Sequence, residues 1–425
     1  MRKKTCLIIS LIISLLIPTS IFAWGYATHA YFADHLGKSG YYWNLQEIYG
    51  SMAPDMFNPF SGSPYFDYLR TQTHEQFHKV VDAAKTKGLK AFAYGFTSHN
   101  DVWGADFTAH HDGRTTPGMG YVTAQVIALK PAFQDSIEQV LLDSHVDPVQ
   151  AKEIATKFAP MVAHGVVEAA VDILIRRNED SKIGKRIIQA ARFRSPAIPP
   201  LLIAAYAADL AHEFDLNIVV ATAAIVSAEK AFKEFASFYG YIFTKKEAEI
   251  IRRLSDYGVE LAELYMKVVK GLDVDVPSET VDNLIILTIS HVEASYSAEV
   301  SATLAYLENE MPLHGIKSQL PPVALETDAI ENTLETVPGE FSLAQNLPNP
   351  FNPKTTINYS LAKDSQVRIT VYNTLGQNIA VLVDGYQPKG QHSVVWNAHS
   401  QPSGFYVYRL EADGFMASKK MFLQK

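Results

Sequence analysis

The chain has 425 residues, 48% of them hydrophobic, and a formal net charge of −8. That length and apolar content are ample for two or three domains with their own cores, and the acidic balance argues against a surface built to grip nucleic acid, though not against nuclease chemistry. The single cysteine, Cys6, sits at the extreme start of the sequence.

Residues 1–23 carry Arg2-Lys3-Lys4, an apolar run from Leu7 to Ile17, and a short segment ending Ile21-Phe22-Ala23. This is the pattern of a secretory signal peptide, its apolar run about half of the ~20 residues needed to span a bilayer. Cleavage after Ala23 removes Cys6, so no disulfide can hold the mature chain together, and stability must come from a large core, bound metal, or both. Cleavage also gives Trp24 a free α-amine, which with its own carbonyl can chelate a metal ion beside His29; a buried aromatic at a domain start is the plainer reading. Asp55 follows Pro54 among apolar neighbours, and a carboxylate there needs a partner unless it caps a turn. Thr73-His74-Glu75-Gln76-Phe77-His78 is expected to open a helix continuing through Val80, Val81 and Ala84, with His74 and His78 one turn apart.

The stretch from Phe92 to Arg114 reads FAYGFTSHNDVWGADFTAHHDGR. Read as one helix, it places His99, Asp106 and His110 within roughly 20° of one meridian. Imidazole and carboxylate are ligand types that zinc prefers, whereas a helix buried for packing alone would carry Leu, Val or Ile there; hydrogen-bonded histidines on a polar face are the alternative. Met161 to Arg176 is a strongly apolar helix in which His164 and Glu168 share a face at i and i+4, placed to clamp one ion or to bond each other.

Taken in order, Trp24, His29, Asp55, His74, His99, Asp106, His110, His164 and Glu168 resemble the zinc-dependent phospholipase C family, which includes the catalytic domain of glycosylphosphatidylinositol-specific phospholipase D. The resemblance rests on the mature-end Trp, Pro54-Asp55, Thr73-His74, the block from Gly95 to His110, and His164-x3-Glu168, and runs by motif from Trp24 to Arg176. It implies an all-helical domain, residues 24–315, holding up to three zinc ions. Asp55, His74, His99 and Asp106 would hold one. Trp24, His29 and a bridging Asp106 would hold a second, and His110, His164 and Glu168 a third. The seven-residue step from His99 to Asp106 exceeds the four usual in the family and spans about 10 Å of ideal helix. A bulge or kink near Gly104 would shorten it, with Asp101 as a fallback ligand and His111 and His78 as second choices for His110 and His74. The implied chemistry is hydrolysis of a phosphodiester by zinc-activated water, with Asp55 as an assisting base. Fungal-type single-strand nucleases use a similar trinuclear site but usually carry Asp where this chain has Glu168. Tyr41-Tyr42-Trp43 is a candidate apolar surface for lipid, or for stacking bases. A third possibility is a zinc-stabilised surface binding protein without turnover.

Helical patterns continue over Leu201–Phe214, Val219–Phe238, Lys245–Leu272 and Val281–Leu307, interrupted at Pro199-Pro200 and Val276-Pro277. Residues 316–340 read as a linker. Beyond it, Thr355–Tyr359, Gln366–Tyr372, His392–Trp396 and Phe405–Glu411 read as strands of a small immunoglobulin-like sandwich over 341–425. The words Gln345-Asn346-Leu347-Pro348-Asn349-Pro350-Phe351-Asn352-Pro353, Val371-Tyr372-Asn373-Thr374-Leu375-Gly376 and Ser403-Gly404-Phe405-Tyr406-Val407-Tyr408-Arg409-Leu410 resemble the C-terminal sorting domain of the type IX secretion system. The expectation is therefore a monomeric zinc phosphodiesterase of phospholipase C type, exported through the periplasm of a Gram-negative bacterium to the surface or the medium. Its partners would be a phospholipid or other phosphodiester and the type IX machinery, with no stable nucleic-acid partner.

Overall fold

The computed structural model describes residues 24–37, 41–60, 65–316, 341–346, 349, 351–373 and 377–424. The expected signal peptide and nearly all of the expected linker lie outside these residues, as do the side chains of Tyr41, Tyr42 and Trp43. The chain divides into two compact units, residues 1–323 and 324–425.

The first unit is all-helical. Its helices among the described residues are α1 (Tyr26–Leu36), α2 (Tyr41–Met52), α3 (Phe66–His74), α4 (His78–Ala83), α5 (Lys87–His99), α6 (Ala105–His110) and α7 (Tyr121–Asp143). Then follow α8 (Pro148–Leu174), α9 (Ile183–Phe193), α10 (Ile198–Glu213), α11 (Ile218–Ile242), α12 (Glu247–Tyr265), α13 (Ser278–Val292) and α14 (Tyr296–Leu313). A 3-10 segment, Ala53–Phe60, links α2 to α3. Local chemistry sets several starts. Asp147 accepts from the N–H groups of Val149 and Gln150 ahead of Pro148, and Asn217 caps α11, each satisfying donors that a helix start leaves bare. Pro199 and Pro200 fall in the first turn of α10, where a missing N–H costs no helical bond.

Three expectations are corrected. The stretch 92–114 is two helices, because α5 ends at His99 and α6 begins at Ala105. His74 closes α3 instead of opening a helix, and α4 starts at His78. Val281–Leu307 is likewise split, by a turn at 293–295 between α13 and α14. Spacing along one ideal helix does not reveal the turns that separate these pairs of helices, at 75–77, 100–104 and 293–295.

α2 and α5 cross at backbone contact. A Cβ on Gly50 would lie 2.1 Å from the Phe92 carbonyl oxygen, and one on Gly95 would lie 1.9 Å from that of Glu47. This crossing brings the ends of both helices, Ser51 and His99, together. Gly95→Ala is therefore expected to destabilise the protein by about 1–3 kcal/mol through overpacking, read as a lower urea midpoint at unchanged m-value.

α8 is long and apolar enough to cross a membrane. It is nevertheless a core helix, since its buried Glu168 and Asp172 face α1 and α11 side chains or the candidate centre described below. The core around it includes Trp24, Phe32, Tyr49, Phe92, Phe96 and Tyr121, all fully buried.

The second unit is a β-sandwich of two antiparallel sheets. β1 (Ser342–Leu343), β2 (Lys354–Leu361) and β5 (Gly390–Asn397) form one in the order β1-β2-β5. β3 (Ser365–Asn373), β4 (Asn378–Gln387), β6 (Gly404–Ala412) and β7 (Phe415–Leu423) form the other in the order β4-β3-β6-β7. Alternation selects the inner face: Val367, Ile369 and Val371 of β3 and Tyr406, Tyr408 and Leu410 of β6 are buried. Sequence patterning gives β2, β3, β5 and β6 and omits β1, β4 and β7. β1 has only two residues, the inward residues of β4 are only half-buried, and β7 carries the exposed Lys419 in line with inward Ala417 and Met421, which blurs the alternation.

Candidate metal centre

Five elements of the helical unit deliver His29, Asp55, His74, His99 and Asp106 to one place, and each of these side chains is 2% exposed or less. His29 comes from α1, Asp55 from the 3-10 segment, His74 and His99 from the last positions of α3 and α5, and Asp106 from the first turn of α6.

The break between α5 and α6 makes the cluster possible. Asn100 Oδ1 accepts the N–H groups of Val102, Trp103 and Gly104 at 2.9, 2.9 and 3.2 Å, tying residues 100–104 into a tight turn of the kind short amide side chains favour. A Cβ at Gly104 would lie 2.6 Å from the Asn100 carbonyl oxygen. The turn folds Asp106 back until its Oδ2 lies 3.0 Å from His99 Nε2, a distance that ideal helix geometry forbids across seven residues.

The imidazoles are held from behind. His99 Nδ1 donates to the Ser51 carbonyl at 2.7 Å, and His74 Nδ1 lies 3.0 Å from the Arg70 carbonyl and 2.9 Å from Thr73 Oγ1. A carbonyl only accepts, so these partners assign the ring proton to Nδ1 and turn both Nε2 atoms inward. The two Nε2 atoms then face each other at 3.2 Å. Around them, Asp55 Oδ1 lies 3.5 Å from His74 Nε2 and 3.9 Å from His99 Nε2, and Asp106 Oδ2 lies 3.6 Å from His74 Nε2. Ligands held about 2.0–2.1 Å from a tetrahedral zinc are separated from one another by roughly 3.3–3.4 Å. The five distances of this tetrad, 3.0–3.9 Å, bracket that value.

Asp106 also faces a second position. Its Oδ1 is 3.2 Å from His29 Nε2, yet neither atom is aligned for a hydrogen bond, and Asp55 Oδ2 is a further buried oxygen without one. Asn58 Nδ2 donates to Asp55 Oδ1 at 3.1 Å and fixes that carboxylate. Buried polar atoms left in this way are costly, and a cation between them would satisfy them together. The chemistry of the donor set and its spacing thus fit a metal ion.

The third set is more open. His110 Nε2 lies 3.5 Å from His164 Nε2, and His164 Nε2 lies 2.9 Å from Glu168 Oε1. Asp101 belongs here and not with His99: its Oδ1 approaches His110 Nδ1 and His111 Nε2 at 3.2 Å each, and Arg70 flanks it at 3.4 Å. It orients His110 as a carboxylate behind a ligand would. His111 and His78 are exposed, and neither displaces His110 or His74 from its cluster.

Electrostatics follow the packing. Burial resists charge on His99, but Asp106 and Asp55 outweigh it and raise its pKa to about 9. Burial lowers that of His29, with help from His99. Asp106 and Asp55 are held below the usual carboxylate range because His99, with His29 or His74, overcomes their burial. Burial and then His110 push His164 down to about 3, while burial, Asp55 and Asp172 push Glu168 well up.

Trp24 contributes its side chain as an anchor. The buried indole N–H donates to the Ala105 carbonyl at 2.9 Å and stacks on Tyr121, fixing the first described residue beside Asp106. Sequence reasoning missed Asp172. Its carboxylate accepts from Ala27 N, Thr28 N and Thr28 Oγ1 at 2.8, 2.8 and 2.6 Å and from Tyr239 OH at 2.7 Å, capping α1 from α8. Burial lifts its pKa to about 6 against these bonds. The available signal was a second acid four residues after Glu168 in the same apolar helix.

No curated protein and no solved structure matches the chain. Residues 347–424 match the family model of the secretion system C-terminal sorting domain. The β-sandwich is thus a type IX sorting domain, and the chain a secreted or cell-surface protein exported by that route, as found in Bacteroidetes.

Proposed function

We propose that the helical unit is a secreted zinc-dependent phosphodiesterase of phospholipase C type. The observation that carries this reading is the tetrad of Asp55, His74, His99 and Asp106, whose donor atoms are spaced as tetrahedral zinc ligands are. Asp106 would bridge to a second ion held with His29 and the processed main-chain end of Trp24, and His110, His164 and Glu168 would hold a third. Bound zinc supplies Lewis acidity, offsetting the charge of a phosphodiester and acidifying water. The chain's own residues arrange the rest. Ser51 and Arg70 carbonyls fix the tautomers of His99 and His74, Asp101 orients His110, and Asn58 holds the Asp55 carboxylate that would assist as a base. His110 and His164, at 10% and 14% side-chain exposure, form the part of the centre that a substrate reaches from solvent.

One observation favours a second reading. Closed, solvent-free ligand sets are typical of structural metal sites, and the five-residue cluster is buried to that degree; a metal-stabilised binding protein would share it. The test is metal content by mass spectrometry on protein matured at Trp24, with phosphatidylcholine and single-stranded DNA assayed on the same sample. Two or three zinc ions with phosphocholine release is the expected outcome. Nucleotide release would assign a nuclease with a similar site, zinc without turnover the binding protein, and absence of tightly bound metal would overturn the proposal.

A further inference from the structure

We propose that the helical unit also binds an unbranched aliphatic chain, that of a fatty acid or a single-chain phospholipid, in a cavity between α7, α8, α11, α12 and α13. The cavity measures about 280 Å³, and apart from tyrosines its lining carries only three polar side chains, Ser136, Glu168 and Thr280. Ser136 is already bonded to the Ala132 carbonyl. The space is partly open to solvent, and an apolar concavity of this size left uncovered calls for an occupant.

Two glycines keep it open. Gly165, in the middle of α8, lines the cavity, and a Cβ there would meet no atom within 4 Å. Gly258 of α12 lines it as well, and a Cβ there would meet only Val281 Cγ1, at 3.6 Å. Neither has a positive φ. Glycine within a helix is unfavourable relative to alanine, and here neither close crossing nor backbone conformation calls for it, in contrast with Gly50 and Gly95. What both provide is room. The facing stripe of α12, Leu254, Tyr257, Leu261 and Tyr265, recurs at helical spacing and lines the cavity, yet stays half-buried, its rings touching Phe235, Phe238 and Phe158 at the walls.

Size and shape select the occupant. A cavity of roughly 150 Å³ accepts benzene, so this one holds on the order of ten to twelve carbon atoms. Its lining runs from Phe158 to Ala169 along α8, about 16 Å of helix, which suits an extended chain over a compact ring. The Phe158–Tyr265 ring stack, 4.8 Å between centroids, ties α8 to α12 across the cavity. This binding stands on the cavity alone and does not depend on the metal reading.

The test is calorimetric titration of the full mature chain with saturated fatty acids of six to sixteen carbons, with dodecanoyl lysophosphatidylcholine, and with deoxycholate as a compact-ring control. Affinity should rise about fourfold per added methylene and level off near twelve carbons, with the steroid at least tenfold weaker. Binding of the acid alone would name a free fatty acid as the source, and binding of the lysolipid a phospholipid chain. Gly165→Leu should fill the space, weaken binding at least tenfold, leave zinc content unchanged and not lower Tm. If that variant fails to fold, Gly165→Ala should shorten the chain length at which affinity levels off. Absence of binding by wild type, affinity independent of chain length, or undiminished binding by folded Gly165→Leu would each overturn the proposal.

Discussion

Asp106→Asn is expected to leave the chain with at most about one zinc ion and to cut phosphodiester turnover by more than about 10³-fold; partners behind a ligand alone typically cost 10–100-fold. The reason is geometric: Asp106 presents Oδ2 to His74 and His99 and Oδ1 to His29, at 3.6, 3.0 and 3.2 Å, so its loss removes a donor from two positions at once. Asparagine preserves the volume, which separates the charge effect from a cavity effect. On the proposed zinc reading, the metal at about 1,000 times its dissociation constant would add roughly 4 kcal/mol of stability to wild type, a rise in Tm on the order of 10 °C. The variant should lose most of that rise while unfolding near the wild-type temperature in excess chelator. Full zinc content in Asp106→Asn would contradict the bridging role.

Asp172→Ala is expected to destabilise the protein by about 3–5 kcal/mol, the scale for stripping a buried charged acceptor from its partners. Three donors at the start of α1 and the Tyr239 hydroxyl would lose their acceptor in a dry interior. Gly25 offers no side-chain cap in its place, and the favourable charge at the helix N-terminus goes as well. Because α1 carries His29, a lower urea midpoint should be accompanied by weaker zinc binding at the position shared by His29 and Asp106. Thr28→Val removes only one of the four bonds and is expected to cost about 1 kcal/mol. Equal stability of Asp172→Ala and wild type would show that α1 is held by its apolar face alone.

What the sequence by itself determined is local. Apolar residues repeating every three to four positions foretell α4, the end of α8 and the helical run from α10 onward but not α2, α3, α7 or α9, alternation foretells β2, β3, β5 and β6, and the tail's sorting words foretell a match that covers residues 347–424. The types of side chain at 29, 55, 74, 99, 106, 110, 164 and 168 are themselves the case for metal chemistry, because imidazole and carboxylate in apolar surroundings need a cation or a proton. Only the tertiary structure decided how they meet. The turn tied by the Asn100 side chain replaces a long axial step with a 3.0 Å approach of His99 to Asp106. The glycine crossing of α2 and α5 brings the Ser51 carbonyl behind His99. Asp101 faces His110 and not His99, and Asp172 reaches α1 across 144 residues of sequence. Such contacts join elements far apart in the chain, and their distances are set by how closely backbones pack, a quantity that no residue pattern within a single helix contains.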